Sequence, residues 1–374
     1  MLLLSAQSFA ESSADISGKH QHIGWIDIGK GIGIILVSFG HLPNGVGNAV
    51  STWLPAINPT IDAIDFFRMP LFYFLGGLVF SARKPFRQFI LRKVCTLIVP
   101  YYIFSTYMFV REVVALRESG SQTIKTLVGF LFYGNGLWFL WAYFCGEILA
   151  YVIRRLFSHL QHLRIIIYVC SGLVLICISR YLRFHTDFVL PFQLIRGIEA
   201  TGFILLGIVA KSFLFAITRL RAVAVCVPVM IAYIISSVAA ISAKSTHPLL
   251  YDGMTFIALF SGVLAFVLLS IVIGHNRILQ YIGRASIVFY AVNFLSMTIS
   301  KTVFFRLLHV DGAILPIPMQ YTVGAIVTAV ALVVMGVINM FVQRWMWWSI
   351  GVPRPTKDCL ARVPYRISRE NPTR

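Results

Sequence analysis

Residues 254–273 read MTFIALFSGVLAFVLLSIVI, twenty consecutive positions without a charged side chain. A helix of about 20 residues spans the roughly 30 Å hydrocarbon layer of a bilayer, so this run predicts a transmembrane helix. The whole chain of 374 residues is 58% hydrophobic and only 12% charged, with a mean hydropathy of +0.81. A soluble domain has about 25% charged residues. The chain is therefore predicted to be an all-α, polytopic integral membrane protein.

Further apolar runs predict about ten transmembrane helices joined by short loops. They lie near residues 24–42, 61–82, 94–116, 134–153, 165–179, 193–210, 222–243, 252–273, 285–305 and 321–343. A short apolar start without basic residues does not fit a signal peptide. The predicted organisation is thus a cytoplasmic tail over 1–23, a membrane domain over 24–343, and a basic cytoplasmic tail over 344–374.

The distribution of Lys and Arg predicts the orientation of these helices. With the N-terminus in the cytoplasm, 21 of the 32 bases fall in cytoplasmic tails and loops and six fall in external loops. Such an excess of bases marks the cytoplasmic side of a membrane protein. Both termini are therefore expected in the cytoplasm, in a multi-pass protein of the cell inner membrane. The net charge of +18 then reflects the lipid bilayer as partner and not nucleic acid.

The remaining five bases lie within predicted spans, and they are Lys30, Arg68, Arg111, Arg196 and Lys301. An ionisable group at membrane depth costs several kcal/mol unless it is paired or faces a wet cavity, so such groups are functional candidates. Arg111 and Lys301 lie near the outer ends of their spans. For these two, we expect the side chain to snorkel to the lipid headgroups.

The first span contains an acid, a base and an imidazole in the stretch WIDIGKGIGIILVSFGH, residues 25–41. His41 lies eleven positions after Lys30, which is about 1100° of helix rotation and roughly 16 Å of rise. Asp27 lies one turn before Lys30, so all three share one stripe. This stripe predicts a catalytic or binding site, and the alternative is an Asp27–Lys30 pair that only neutralises itself.

A second group of charges is predicted near the outer ends of two other spans. Asp62, Asp65 and Arg68 follow each other at intervals of three residues, and Arg196 and Glu199 enter the sixth span at similar depth. These residues are expected to face one polar cavity that suits a sugar hydroxyl, and an ordinary ion-pair network is the alternative.

Two sets of residues are assigned to the inner half of the membrane. Glu147, in the fourth span, is placed where it could join Lys30 or Asp27. The bases Arg92 and Lys93 could attract the phosphates of a nucleotide-bearing donor, although the positive-inside rule also explains them. The six cysteines form no CxxC pair, so neither a metal site nor a disulfide is predicted.

Several motifs recur in a fixed order along the chain. They are Lys30-x10-His41, FRMPLFYFLGG (67–77), KVCTLIVPYY (93–102), LWFLWAYF (137–144), ATGFILLGIVAK (200–211) and IGRASIVFY (282–290). This order resembles the acyltransferase-3 family of membrane O-acyltransferases over roughly residues 24–343, and the second motif points to its fucose-4-O-acetylase-like group. The chain departs from the family pattern at Lys30, where Arg is frequent, at Thr96, where a second Arg often follows, and at Asn293, where His is common.

The resemblance implies transfer of an acetyl group from cytoplasmic acetyl-CoA, as co-substrate without further cofactor, to a hydroxyl of a cell-surface or lipid-linked glycan. It also implies that Lys30 holds the donor, and Asp27 is predicted to keep Lys30 oriented. Acyl transfer to a hydroxyl needs a base, and His41 is predicted to be that general base or a transient acyl carrier. The charged residues described above are then assigned to the two substrates. Asp65, Arg68, Glu147, Arg196 and Glu199 are predicted to bind the acceptor, and Arg92, Lys93 and Trp138 are predicted to bind the donor. The acceptor could also be another hydroxyl compound.

A transporter or flippase of lipid-linked glycans or small molecules is the alternative function. Such a protein would also have about ten helices and buried charges near the membrane midplane. Many transporters contain internal repeats with helices broken at corresponding positions, and the sequence shows no such repeat. The ordered motifs therefore favour the enzyme.

Overall fold

The computed structural model describes residues 23–43, 54–115, 120–160 and 162–351. These ranges are helical with connecting turns and contain no strand, so the prediction of an all-α protein is confirmed. Most of the two predicted tails, residues 1–22 and 352–374, lies outside the described residues.

Fourteen α-helices occur in the described ranges. They are α1 (Gly24–Gly40), α2 (Asn58–Asp65), α3 (Arg68–Leu78), α4 (Phe86–Lys93), α5 (Val99–Ala115), α6 (Gly120–Val128), α7 (Trp138–Leu156), α8 (Arg164–His185), α9 (Leu194–Ala216), α10 (Arg219–Ala243), α11 (Pro248–Ile273), α12 (Arg277–Arg284), α13 (Ser286–Lys301) and α14 (Ile317–Trp345). A π-helical turn, Val94–Ile98, joins α4 to α5, and others follow α6 and α13.

Eight helical segments of the described chain are long and apolar enough to cross a membrane. They are Phe86–Val114, Gln122–Leu156, Arg164–His185, Pro191–Ala216, Arg219–Ala243, Pro248–Ile273, Ser286–Leu307 and Ile317–Trp345. They correspond to the third to tenth predicted spans. The first predicted span is α1, whose 17 residues extend only about 25 Å. The second is divided into α2 and α3, so the total of about ten stays a prediction.

Helix α1, which contains Asp27 and Lys30, is surrounded by other helices. It packs against α2, α3, α11, α12, α13 and α14. The closest approach is to α12, because a side chain at Gly31 would overlap the Leu279 carbonyl and one at Gly283 would overlap the Asp27 carbonyl. Small residues allow helix backbones to approach this closely. These glycines therefore serve helix packing.

The break between α2 and α3 positions the first residue of α3. Phe67 at this break is fully buried, stacks on Phe266 with ring centroids 4.6 Å apart, and meets the edge of Tyr233 at 5.1 Å. Such aromatic contacts hold the backbone in place. Arg68 therefore begins α3 at a defined position next to the end of α1.

The direction of α1 defines two ends of the molecule. We call the end at which α1 finishes the His41 end, and the opposite end the Lys30 end. Because successive long helices alternate in direction, α7 and α9 begin at the His41 end, and α8 and α10 finish there.

Candidate active site

The backbone of His41 is held by contacts from two helices. His41 follows the last residue of α1, and its N–H donates to the Ser38 carbonyl at 3.0 Å. The Asn293 amide of α13 donates to the Ser38 hydroxyl at 2.6 Å, and Lys301 Nζ donates to the His41 carbonyl at 2.9 Å. Asn293 and Lys301 thus couple the end of α1 to α13.

Arg68 lies directly beside the end of α1. Its Nη2 pairs with Asp65 Oδ1 at 3.0 Å, while its Nη1 is packed against Gly40. Nη1 is buried without a hydrogen-bond partner among the described residues. A side chain at position 40 would overlap this guanidinium, so the glycine provides the space for it. The positive charge of Arg68 therefore lies next to the last residue of α1, directly before His41.

A cavity of about 310 Å³ opens at Arg68. Its wall is formed by Asp62, Asp65, Phe66, Arg68, Met69, Pro70, Tyr73, Trp138, Arg180, Arg183, Phe184, Glu199, Ile241, Lys244 and Tyr251. Three acids of this wall are paired. Besides Asp65 with Arg68, Asp62 pairs with Lys244 at 3.1 Å, and Glu199 pairs with Arg183 at 2.7 Å. The wall therefore combines charged groups with aromatic rings, as suits a polar ligand with an apolar face.

A second cavity of about 670 Å³ adjoins the first and shares Trp138, Arg183 and Phe184 with it. The Arg196 guanidinium lies 4.2 Å above the Trp138 ring on its wall. Arg196 Nη1 also donates to Gln193 Oε1 at 3.0 Å. The stacking and the hydrogen bond orient the Arg196 side chain at the cavity.

A separate charged cluster lies towards the Lys30 end. Lys93 Nζ donates to Glu147 Oε1 at 2.5 Å, and Glu147 is buried with no partner for Oε2 among the described residues. Lys30 has no ion-pair partner within 4.0 Å in the described ranges, but the charges of Asp27, Lys93 and Glu147 act on it. Nearby acids therefore balance the positive charge of Lys30, but none of the described acids forms an ion pair with its ammonium.

Stacked aromatic side chains extend from the wall of the smaller cavity towards Glu147. Phe139 stacks on Tyr73 with centroids 5.0 Å apart and on Tyr143 at 5.7 Å, and it also touches Tyr290 at 5.2 Å. The Tyr73 hydroxyl is buried without a partner among the described residues. It therefore provides a spare hydrogen-bond donor between the two charged regions.

Most residues predicted for the acceptor lie together at the His41 end. Asp65, Arg68 and Glu199 line the smaller cavity, and Arg196 lines the larger one. Glu147, grouped with them in one prediction, lies instead against Lys93, about 13 Å along α7 from its first residue, Trp138.

The residues predicted for the donor are divided. Lys93 belongs to the cluster around Lys30, while the Arg92 side chain is exposed. Trp138 lies on the walls of both cavities at the His41 end, beside Arg196. The structure thus places Trp138 with the predicted acceptor residues.

Several polar residues of the site were not predicted from the sequence. Arg180, Arg183 and Lys244 counted only as external bases, although the interval of three residues between the two arginines indicates one helix face. The expectation that Lys301 snorkels to the headgroups is wrong, because only 2% of Lys301 is exposed and its ammonium bonds to the His41 carbonyl. Arg111 lies 4.9 Å over the Phe294 ring.

Comparison with protein-family models identifies an acyltransferase domain, Acyl_transf_3, over residues 23–340. The chain belongs to the acyltransferase-3 family. Neither the curated proteins nor the solved structures include a significant match. The matched range contains both charged regions of this membrane acyltransferase, and the family implies an acyl donor and a hydroxyl acceptor.

Proposed function

We propose that this acyltransferase transfers an acetyl group from cytoplasmic acetyl-CoA to a sugar hydroxyl of a cell-surface or lipid-linked glycan, in the cell inner membrane. The observation that carries the proposal is the separation of two charged regions by the length of α1. Lys30 and His41 lie about 16 Å apart along this helix, and each is surrounded by a different set of polar residues. A donor from one side and an acceptor from the other would meet between them.

The cavities at the His41 end support a glycan acceptor. Sugars present hydroxyls at their edges and C–H groups on their faces, so they suit walls that combine charged groups with aromatic rings. Trp138, Tyr73 and Tyr251 provide the rings, and Arg68, Asp65 and Glu199 provide the polar groups. An external position of this end, as the positive-inside distribution predicts, is consistent with a surface glycan.

The cluster around Lys30 supports donor binding from the cytoplasm. An ammonium without a fixed carboxylate partner can bind a phosphate or polarise a carbonyl oxygen. Lys30 is such a group, and Lys93 lies next to it with Glu147. Asp27, one turn before Lys30, would attract the ammonium towards the same helix face without forming a fixed ion pair with it.

The proposed reaction uses His41 as general base. A neutral ring nitrogen of His41 takes the proton of the acceptor hydroxyl while the hydroxyl oxygen attacks the thioester carbonyl carbon. The carbon–sulfur bond then breaks, and the imidazolium returns the proton to the leaving thiolate, which gives an acetyl ester and free CoA. Arg68 Nη1, a buried donor without a partner in the described residues, is suited to stabilise the negative charge that develops on the carbonyl oxygen.

The proposal is tested with purified full-length protein, acetyl-CoA labelled in the acetyl group, and a glycan fraction extracted from cells that lack the protein. We expect label to appear in the glycan and to be released by mild base, as an ester would be. Boiled protein and chemically O-methylated glycan serve as controls. Label that remains in acetyl-CoA with every glycan fraction would contradict the proposal.

The orientation is tested separately by cysteine labelling. A cysteine in place of Arg219, at the start of α10 near the Lys30 end, is expected to stay unmodified by a membrane-impermeant thiol reagent in intact cells and to react after permeabilisation. A cysteine in place of Lys125 is expected to react in intact cells. If the cysteine at position 219 reacted in intact cells and the cysteine at position 125 did not, the Lys30 end would be external and the His41 end cytoplasmic, opposite to the proposal.

A further inference from the structure

Three arginines lie on the walls of the two cavities near the buried carboxylate of Glu199. Arg183 pairs with Glu199 at 2.7 Å, and the charge of Glu199 also acts on Arg180 and Arg196. Two further acids lie nearby and are less buried: Asp252 is 3.2 Å from His185 and its charge also acts on Arg180, and Asp187 is exposed on the wall of the larger cavity. The three arginines, which we call the arginine triad, therefore carry more positive charge than the buried Glu199 alone neutralises.

Neither Arg180 nor Arg196 has a carboxylate within 4.0 Å among the described residues. Arg180 is held by a hydrogen bond from Nη2 to Thr255 Oγ1 at 3.2 Å and lies near the Phe184 ring at 5.1 Å. Arg196 is held by the Trp138 ring and Gln193. A guanidinium has five N–H donors, so most donors of both side chains are left for other acceptors. None of the Arg180 or Arg196 nitrogens is a buried atom without a partner, which indicates that these donors face the cavities.

Gln193 is itself fixed in a strained position. Its backbone has a φ of 54°, a left-handed conformation that residues other than glycine seldom adopt, and its Nε2 donates to the Tyr133 carbonyl at 2.6 Å. The same side chain accepts the hydrogen bond from Arg196. Such a strained conformation persists only where the surrounding structure holds it in place. At Gln193 this conformation positions the side chain that binds Arg196 at the cavity wall.

Uncompensated bases that lie close together repel each other, and in the low dielectric of a membrane protein this repulsion is strong. An anion between them removes it. We propose that the arginine triad binds an anionic group of the acceptor, a carboxylate or a phosphate, while the hydroxyl to be acetylated lies at Arg68 and His41. This inference rests on the proposed function and narrows the acceptor to an acidic glycan or one linked through phosphate.

The chemistry of the acceptor gives a test that needs no variant. The extracted glycan is divided into three portions, of which one is carboxyl-reduced, one is freed of phosphate groups, and one is left intact. Each portion is then offered to the wild-type protein with labelled acetyl-CoA. Transfer lost after carboxyl reduction identifies a carboxylate, and transfer lost after phosphate removal identifies a phosphate. Equal transfer to all three portions would overturn the inference but leave the proposed function intact.

Variants locate the anion at the arginine triad. We expect Arg196→Gln to lower kcat/KM for the intact glycan by about 10- to 100-fold, since a charge-assisted contact is lost. Arg196→Lys keeps the positive charge, so its kcat/KM should lie between that of Arg196→Gln and that of wild type. Lys125→Gln removes an exposed base of α6 and is the matched control, for which we expect kcat/KM within about twofold of wild type. The residual activity of Arg196→Gln should no longer distinguish the intact from the modified glycan. If normally folded Arg196→Gln protein still preferred the intact glycan to the modified glycan as strongly as wild type does, the anion would bind elsewhere and the inference would be wrong.

Discussion

At the His41 end, charged side chains line two cavities, whereas towards the Lys30 end they lie within the packed helices. The charges are also balanced differently. Lys30 and Lys93 are offset by two buried acids, Asp27 and Glu147, while the arginine triad has one buried acid, Glu199, among the described residues. A balanced cluster is stable when its site is empty, whereas a surplus of one sign favours a ligand of the other sign. The walls proposed to bind a ligand are therefore distinguished by a surplus of charge of one sign, and not by the presence of charge alone.

The largest effect is expected at His41, because it is the proposed general base of the transfer reaction. His41→Gln keeps a polar side chain of similar volume but cannot take a proton at neutral pH. Losing a general base lowers a rate by about 10²- to 10⁴-fold. The measurement is labelled acetyl transfer, normalised to the amount of protein that elutes as a single gel-filtration peak.

The control for this prediction is His275→Gln, which removes an exposed imidazole between α11 and α12. We expect its transfer rate to equal that of wild type within about twofold. If normally folded His41→Gln protein transferred acetyl at a similar rate, the assignment of His41 as base would be wrong.

The next largest effect is expected from a single methyl group at Gly40. Gly40→Ala would push the Arg68 guanidinium away from the end of α1, because the added Cβ overlaps it. Displacement of a catalytic group by about 1 Å can lower a rate about 10²-fold. We therefore expect a loss of this order in kcat, measured by the same transfer assay.

Gly336→Ala is the matched control, since nothing lies within 4 Å of an added Cβ at this helical position of α14. It should keep the wild-type kcat and gain slightly in stability, because alanine is the better helix former. Equal rates for Gly40→Ala and Gly336→Ala would show that the position of Arg68 does not matter for catalysis.

A smaller effect is expected at Lys30. After Lys30 is replaced, Lys93 still offsets the negative charge of Glu147 in the same cluster. Lys30→Ala should raise KM for acetyl-CoA about tenfold with a smaller change in kcat, since a charge-assisted contact to the donor is lost. Lys30→Arg keeps the charge and should lie between Lys30→Ala and wild type.

Lys84→Ala, which removes an exposed lysine, is the control for the Lys30 variants. Steady-state kinetics at varied acetyl-CoA concentration separate KM from kcat. An unchanged KM in Lys30→Ala would leave Lys30 as a structural partner of Asp27 and Glu147 only.

How far the sequence predicts this site depends on the chain distance between its parts. Asp65 and Arg68 are three residues apart in sequence, so helical periodicity was sufficient to bring them together. By contrast, Lys93 and Glu147 are 54 positions apart, and Lys301 and His41 are 260 apart. Periodicity identifies which residues share a face of one helix, but not which faces of two helices meet. The apolar runs likewise predicted the helices, while the break at Phe67 depends on tertiary contacts with Phe266 and Tyr233.

The smallest effect is expected for Lys244, at the rim of the smaller cavity. Its ion pair with Asp62 is partly exposed on both sides, so its contribution to stability is about 0.2–1 kcal/mol and falls with added salt. The hydrogen bond from the Lys244 ammonium to Asp62 raises the pKa of Lys244 above its ordinary value of 10.5. A pKa raised in the folded state gives stability that is fully present below the unfolded-state pKa and is lost as pH rises through the folded-state pKa. Lys244→Gln should therefore lower the thermal midpoint by the same small amount at pH 7 and at pH 9, as measured by thermal unfolding in detergent. A loss confined to pH 7 would mean that Lys244 deprotonates below its ordinary pKa and that Asp62 does not stabilise its charged form.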